Sequence, residues 1–229
     1  MEIRVLPDAT AVASEAAKII AREAGAAVAA RGRFRVAVSG GRTPGQMLHA
    51  LAHEDLPWNR VYVAQVDERV APTGHADRNL TQLRDSLLEH VALHPAQVCA
   101  MPVELPDLEA AVVDYARRLG VIAGTPPVLD LVHLGLGTDG HTASLLPGDP
   151  VLDVTDADVV LTQPYQGWRR MTLTYPVLNR ARRILWVVTG TEKAEMLRRL
   201  SDSDVTIPAG RVRQEHALVL ADHAAAQKL

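Results

Sequence analysis

Apolar positions along this chain come in two alternating textures. Short runs rich in Val, Ile and Leu are separated by longer stretches whose apolar residues recur three and four apart. Residues 10–31 carry small and aliphatic side chains at helical spacing, with Asp8 or Thr10 where an N-cap belongs. A strand follows over 34–38 and stops abruptly at Ser39-Gly40-Gly41; Pro44 then suits the first turn of a helix running to Ala52. The pattern predicts a strand over 61–66, a helical stretch over 79–91, a short strand over 98–101 and a helix over 108–122. An apolar run over 128–134, bounded by Pro127 and Gly135, reads as a strand buried on both faces. A similar run spans 183–189, a helix follows over 192–200, and 217–220 forms a last strand.

Strands alternating with helices imply crossover connections and a mainly parallel sheet flanked by helices, an α/β fold. No stretch rich in Gly, Ser or Pro divides the chain, so residues 1–229 are expected to form a single domain. In such sheets the ligand crevice lies beyond the carboxyl ends of the strands. Four segments follow strands and are therefore expected to line one crevice: Ser39 to Thr43, Asp67 to Arg69, Gly135 to His141 and Gly190 to Lys193.

Composition narrows the function classes. A formal net charge of −3 gives no global attraction to nucleic acid or to an anionic membrane, so any anion site must be local. The lone Cys99 rules out an intramolecular disulfide and a cysteine-based zinc cluster. The first thirty residues lack the charged-then-apolar order of a signal peptide, and no apolar stretch is long enough to span a bilayer. A cytoplasmic protein is the expectation; the oligomeric state is not legible.

Several segments carry candidate chemistry. Ser39-Gly40-Gly41-Arg42-Thr43-Pro44 joins two glycines, a hydroxyl and a cation at a helix start, where free N–H groups and the helix dipole favour a phosphate. The same residues also suit an ordinary tight turn, and Ala37-Val38-Ser39-Gly40-Gly41 comes one residue short of a serine-hydrolase nucleophile elbow. Gly135-Leu136-Gly137-Thr138-Asp139-Gly140 matches the dinucleotide fingerprint literally, but Asp139 would repel a pyrophosphate and Pro147-Gly148 leaves no room for the long helix. In Asp139-Gly140-His141-Thr142, by contrast, a carboxylate stands two residues before an imidazole, an arrangement suited to a general base. Asp67-Glu68-Arg69 reads by default as a solvated charged loop, with Arg69 able to clamp an anion in bidentate fashion. His49 and His53 have metal-competent helical spacing without a third ligand motif, and His133 inside an apolar strand reads as a core residue.

Taken in order, these segments resemble the 6-phosphogluconolactonase family, within the wider glucosamine-6-phosphate isomerase-like superfamily. The resemblance rests on Ser39 to Pro44, Asp67-Glu68-Arg69, His75 to Asn79, the long stretch Gly135 to Gly148, Arg170-Met171-Thr172 and Gly190 to Lys193. It implies a Rossmann-like domain and hydrolysis of 6-phospho-D-glucono-1,5-lactone, a phosphorylated sugar lactone, without metal or organic cofactor. It further implies His141 as catalytic base and Asp139 as its supporting carboxylate. Gly40, Gly41, Arg42, Thr43, Arg170 and Lys193 match phosphate-holding positions, and Asp67, Arg69 and Asn79 match pocket positions. Deaminases of the superfamily typically carry Glu five residues after the His; here that position is Leu146. Three other readings stay open at this stage: a phosphosugar isomerase or deaminase, a Ser39-dependent hydrolase, and a sugar-phosphate-binding protein without catalysis.

Overall fold

The computed structural model describes residues 1–229. In chain order the main elements are β1 (Glu2–Leu6), α1 (Ala9–Arg31), β2 (Phe34–Val38), α2 (Arg42–Leu51), β3 (Val61–Gln65), β4 (Asp67–Arg69), α3 (Asn79–Leu83) and β5 (Val98–Cys99). There follow α4 (Leu108–Ala123), β6 (Leu131–Leu134), β7 (Val159–Leu161), β8 (Arg170–Leu173), α5 (Tyr175–Arg180), β9 (Ile184–Val188), α6 (Ala194–Ser201) and β10 (Ala217–Asp222). Seven strands form one sheet in the order β1-β10-β9-β6-β2-β3-β5, and every neighbouring pair is parallel.

The apolar strand runs sort their side chains with period two onto the two faces. Phe34, Val36 and Val38 of β2, Leu185 and Val187 of β9, and Leu218 and Leu220 of β10 pack with α1 and α2. Ala37, with Ile184, Trp186 and Val188, and Val219 and Ala221, faces α4, α5 and α6. Both faces are covered, which is why these strands read as unbroken apolar runs. Helix α1 approaches the sheet closely because its buried stripe is largely alanine: Ala13, Ala16, Ala17, Ala24 and Ala27, interleaved with Val12 and Ile20. Asp8 is the cap, accepting a hydrogen bond from Ala11 N at 2.8 Å, and Gly32 closes the helix in the left-handed conformation.

A second, antiparallel sheet of β4, β8 and β7 sits at the carboxyl end of the first. Val66 bridges the two: its N–H donates to Val38 O and its carbonyl accepts from Leu173 N. No part of this small sheet was expected from the apolar pattern, nor was edge strand β1. The helix expected over 79–91 ends sooner, passing at Arg84–Leu88 into a wider π turn. The strand expected over 128–134 begins at Leu131, and the helix expected from Glu192 starts at Ala194 after a single 3-10 turn.

Candidate active site

The chain runs outward from β2 to β3 and β5 on one side, then returns to build β6, β9 and β10 on the other. The loops leaving β2 and β6 thus diverge at the carboxyl end of the sheet, the position at which open α/β sheets form their ligand crevice. Ser39 ties the two strand ends together. Its N–H donates to His133 Nδ1 at 3.3 Å and its hydroxyl to His133 O at 3.1 Å.

The loop after β6 folds back on itself through its glycines. Gly137 N donates to His141 O at 2.7 Å, Gly140 N to Gly137 O at 3.1 Å, and the Thr142 hydroxyl to Gly135 O at 2.9 Å. Gly140 has φ +84°, and a Cβ there would come within 2.7 Å of Ile207 Cβ. A Cβ on Gly137 would fall on His141 Nδ1 and lie 2.6 Å from Asp139 Oδ1. The loop therefore brings Asp139 Oδ1 to both the backbone N–H of His141, at 3.1 Å, and its ring Nδ1, at 2.6 Å. A carboxylate at Nδ1 fixes the tautomer with the proton there, which leaves Nε2 as the basic nitrogen. Nε2 has no hydrogen-bond partner in the protein, and the ring lines a cleft of about 360 Å³. Burial pulls the Asp139 carboxyl upward, but hydrogen bonds from the His141 backbone and ring and from the Tyr165 hydroxyl outweigh it and hold the group below the usual carboxylate range.

The antiparallel sheet makes the facing wall. In its register Arg69 of β4 stands directly opposite Arg170 of β8, a like-charge pair that destabilises a sheet unless something else uses the charge. Arg69 donates through Nη1 to Asp77 O at 2.6 Å, yet its Nε is buried without a partner. Arg170 is buried, its Nε is also unpartnered, and its guanidinium lies 5.1 Å from the Tyr165 ring centroid. Burial and the neighbouring Arg69 charge lower the Arg170 pKa from its ordinary value. Asp67 is held between these groups: Ser144 donates to its Oδ2 at 2.6 Å, and Asn79 Nδ2 donates to its backbone oxygen at 2.9 Å and to Oδ1 at 3.2 Å. Asn79 abuts Gly40 so closely that a Cβ on Gly40 would lie 2.6 Å from Asn79 Cγ.

Asp67-Glu68-Arg69 is a largely buried strand and not the solvated loop its charges suggest. Glu68 is fully buried; its carboxylate accepts the N–H groups of Asn79 and Leu80 at the start of α3, both at 2.8 Å, and pairs with buried Arg78 at 3.1 Å. A carboxylate at a helix N-terminus with that many donors is a structural pin. It fixes the start of α3 against β4 and so sets Asn79 in the cleft.

Of the residues singled out from the sequence, Gly40, Gly41, Asp67, Arg69, Asn79, His141, Arg170 and Lys193 all line this cleft, with Asp139 directly behind His141. Arg42 and Thr43 do not. They line an adjoining hollow of about 540 Å³ that shares Gly40, Gly41, Gly135, Leu136 and Lys193 with the cleft, and Thr43 Oγ1 is 2.7 Å from Thr189 Oγ1. Gly41 N is already used, donating to Gln82 Oε1 at 2.9 Å. Sequence reasoning missed Tyr165, Ser144 and the pinning role of Glu68. Tyr165 comes from a hairpin loop distant in sequence, where no local pattern marks it.

The serine-nucleophile geometry is absent. Ser39 Oγ donates to a carbonyl, makes no hydrogen bond to His141, and the imidazole beside it, His133, is pushed by burial down to about 3. The Cys99 thiol is buried and raised to about 12, which leaves it inert as a nucleophile. The rings of His49 and His53 meet edge to face at 5.1 Å, and no group of three or more His, Cys, Asp or Glu side chains converges in metal-holding geometry.

Comparison with known proteins agrees with the fold. A family model described as glucosamine-6-phosphate isomerases/6-phosphogluconolactonase matches residues 7–221. The 6-phosphogluconolactonase of Synechocystis sp. is 39% identical over 175 residues, covering 75% of this chain and 72% of that protein. The crystal structure of a 6-phosphogluconolactonase from Thermotoga maritima superposes with a TM-score of 0.86 at 27% identity, covering 96% of this chain and 98% of that one. A monomeric glucosamine-6-phosphate deaminase superposes with a TM-score of 0.85 at 20% identity over the whole of both chains. Backbone shape is therefore common to both chemistries, and side chains must separate them.

Proposed function

The chain belongs to the glucosamine-6-phosphate isomerase/6-phosphogluconolactonase family, and we propose that it is the lactonase, hydrolysing 6-phospho-D-glucono-1,5-lactone to 6-phosphogluconate. The observation that carries the reading is the Asp139–His141 dyad, its free Nε2 facing a cleft whose opposite wall holds two unpartnered, buried guanidinium Nε groups. A base that receives a proton and cations that await an anion are what hydrolysis of an anionic ester requires.

In this mechanism His141 Nε2 takes a proton from water as the water oxygen adds to the lactone carbonyl carbon. Asp139 stabilises the imidazolium so formed. Arg69, whose guanidinium lines the cleft, supports the developing oxyanion. The tetrahedral species collapses by breaking the bond to the ring oxygen, which leaves with the proton returned from Nε2; the acid product then ionises. Arg170 and Lys193 hold the phosphate, whose binding energy orients the carbonyl. Arg42 and Thr43, across Gly41 in the hollow, contribute a weaker, longer-range share. No step needs a cofactor. No helix is long and apolar enough to cross a membrane, and we read the enzyme as acting in the cytoplasm.

The deaminase reading lacks its acid: Leu146, where deaminases typically carry Glu, is buried and outside the cleft lining. The test is turnover of freshly generated 6-phosphogluconolactone against its spontaneous hydrolysis, with the unphosphorylated lactone and glucosamine-6-phosphate as comparison substrates. The account expects strong acceleration for the phospholactone alone. Preferential ammonia release from glucosamine-6-phosphate would overturn it.

A further inference from the structure

The hairpin loop between β7 and β8, residues 162–169, reaches both sides of the cleft through one side chain. The Tyr165 hydroxyl donates to Asp139 Oδ2 at 3.1 Å, while Asp139 Oδ1 holds the His141 ring. The face of the same tyrosine lies 5.1 Å from the Arg170 guanidinium carbon, within cation–π range, and its ring stands 6.0 Å from the His141 ring at 69°. The loop is fastened in that pose. Tyr165 and Trp168 exchange two backbone hydrogen bonds, at 2.9 and 3.2 Å, around Gln166 and Gly167, which both have positive φ. Trp168 Nε1 in turn donates to Asp77 Oδ2 at 3.0 Å, and Asp77 O receives Arg69.

We propose that Tyr165 is a positioning residue of the hydrolytic site: its hydroxyl fixes the carboxylate that orients His141, and its ring holds the Arg170 guanidinium against the anion-binding wall. The inference rests on the lactonase reading. Burial and the contact with Asp139 raise the phenol pKa from its ordinary value, so the hydroxyl remains a donor across the working range. In its absence Asp139 concentrates its charge on His141 and the imidazolium becomes more stable. The other charged groups around the ring are Asp67 and Arg69 on β4, Arg170 on β8 and Lys193 after β9, and a Tyr165→Phe change alters none of them.

The test compares Tyr165→Phe and Tyr165→Leu with wild type. Tyr165→Phe should lower kcat by about tenfold with KM little changed. It should also move the acid limb of the pH–rate profile up by roughly half a unit. In an Asp139→Asn background the same change should have no further effect, because the hydroxyl acts through that carboxylate. Tyr165→Leu should add a rise in KM of about fivefold as Arg170 loses its platform. A Tyr165→Phe enzyme with wild-type kcat and pH profile would overturn the role, as would an equal loss in the Asp139→Asn background. An NMR titration of the His141 ring reads the same coupling without turnover. An inert wild type would sink the lactonase reading, whereas a titration unmoved by Tyr165→Phe would sink the positioning role.

Discussion

The cleft and the adjoining hollow share Gly40, Gly41, Gly135, Leu136 and Lys193, yet they are built differently. The hollow is the larger, about 540 Å³ against 360 Å³, but none of its buried side-chain polar atoms is left without a partner, and Arg42, Gln46 and Glu192 are exposed to solvent. Thr43 meets Thr189, and Asp222 accepts from Gly190 N and Ala225 N. The smaller cleft keeps some of its polar groups in reserve: a ring nitrogen without a partner, two buried guanidinium Nε atoms without partners, and two arginines opposed across an antiparallel pair. Such groups cost stability while nothing occupies the site, and they repay it only when an anion or a proton arrives. Unspent polar capacity marks the chemistry here better than volume does.

Mutations in the two depressions should separate accordingly. Short of removing His141 itself, the largest effect is expected from Asp139→Asn, which leaves His141 without a carboxylate at Nδ1; kcat should fall by about 10²–10⁴-fold while the fold persists. The same substitution has a pH signature in stability. The folded Asp139 carboxyl lies below its ordinary range, so its contribution is present above the unfolded value and lost as pH falls through the folded one. The Tm gap between wild type and Asp139→Asn should accordingly be widest near neutrality and close in acid.

Gly137→Ala should come next. The added Cβ would displace the His141 ring from Asp139, and a shift of that kind costs about 10²-fold in turnover. Circular dichroism would show whether the variant is folded. Arg170→Ala would remove the charged partner proposed for the phosphate and should weaken 6-phosphogluconate inhibition by about 1.5–3 kcal/mol, roughly ten- to 150-fold. The smallest effect belongs to the hollow. Arg42 is solvent-exposed, and Arg42→Ala should change product inhibition by less than about fivefold. An Arg42→Ala loss equal to that of Arg170→Ala would move the phosphate from the cleft to the hollow.

The main sheet was legible because its strands are buried on both faces and so spell themselves as apolar runs, as in β9, where Ile184 through Val188 are all buried. Two of the segments that line the crevice were legible for a related reason: Ser39-Gly40-Gly41 and the Gly135–His141 loop break those runs sharply. The second sheet was not. β4 is three charged residues, Asp67 to Arg69, and its strand character comes from pairing with β8 rather than from propensity. Glu68 looked solvated for the same reason, since apart from the adjacent Arg69 N–H the donors that satisfy it belong to Gln65, Arg78, Asn79 and Leu80 and converge only in the fold. Asp139 and His141 were readable because they are two residues apart. Tyr165, bonded to Asp139 from 26 residues away, was not.

The most direct test separates binding from chemistry at His141. His141→Ala should retain inhibition by 6-phosphogluconate within a few-fold, since Arg170 and Lys193 are untouched, while acceleration of phospholactone hydrolysis is nearly abolished. If the folded variant still accelerates hydrolysis at close to the wild-type rate, His141 is not the base and the account of the cleft is wrong.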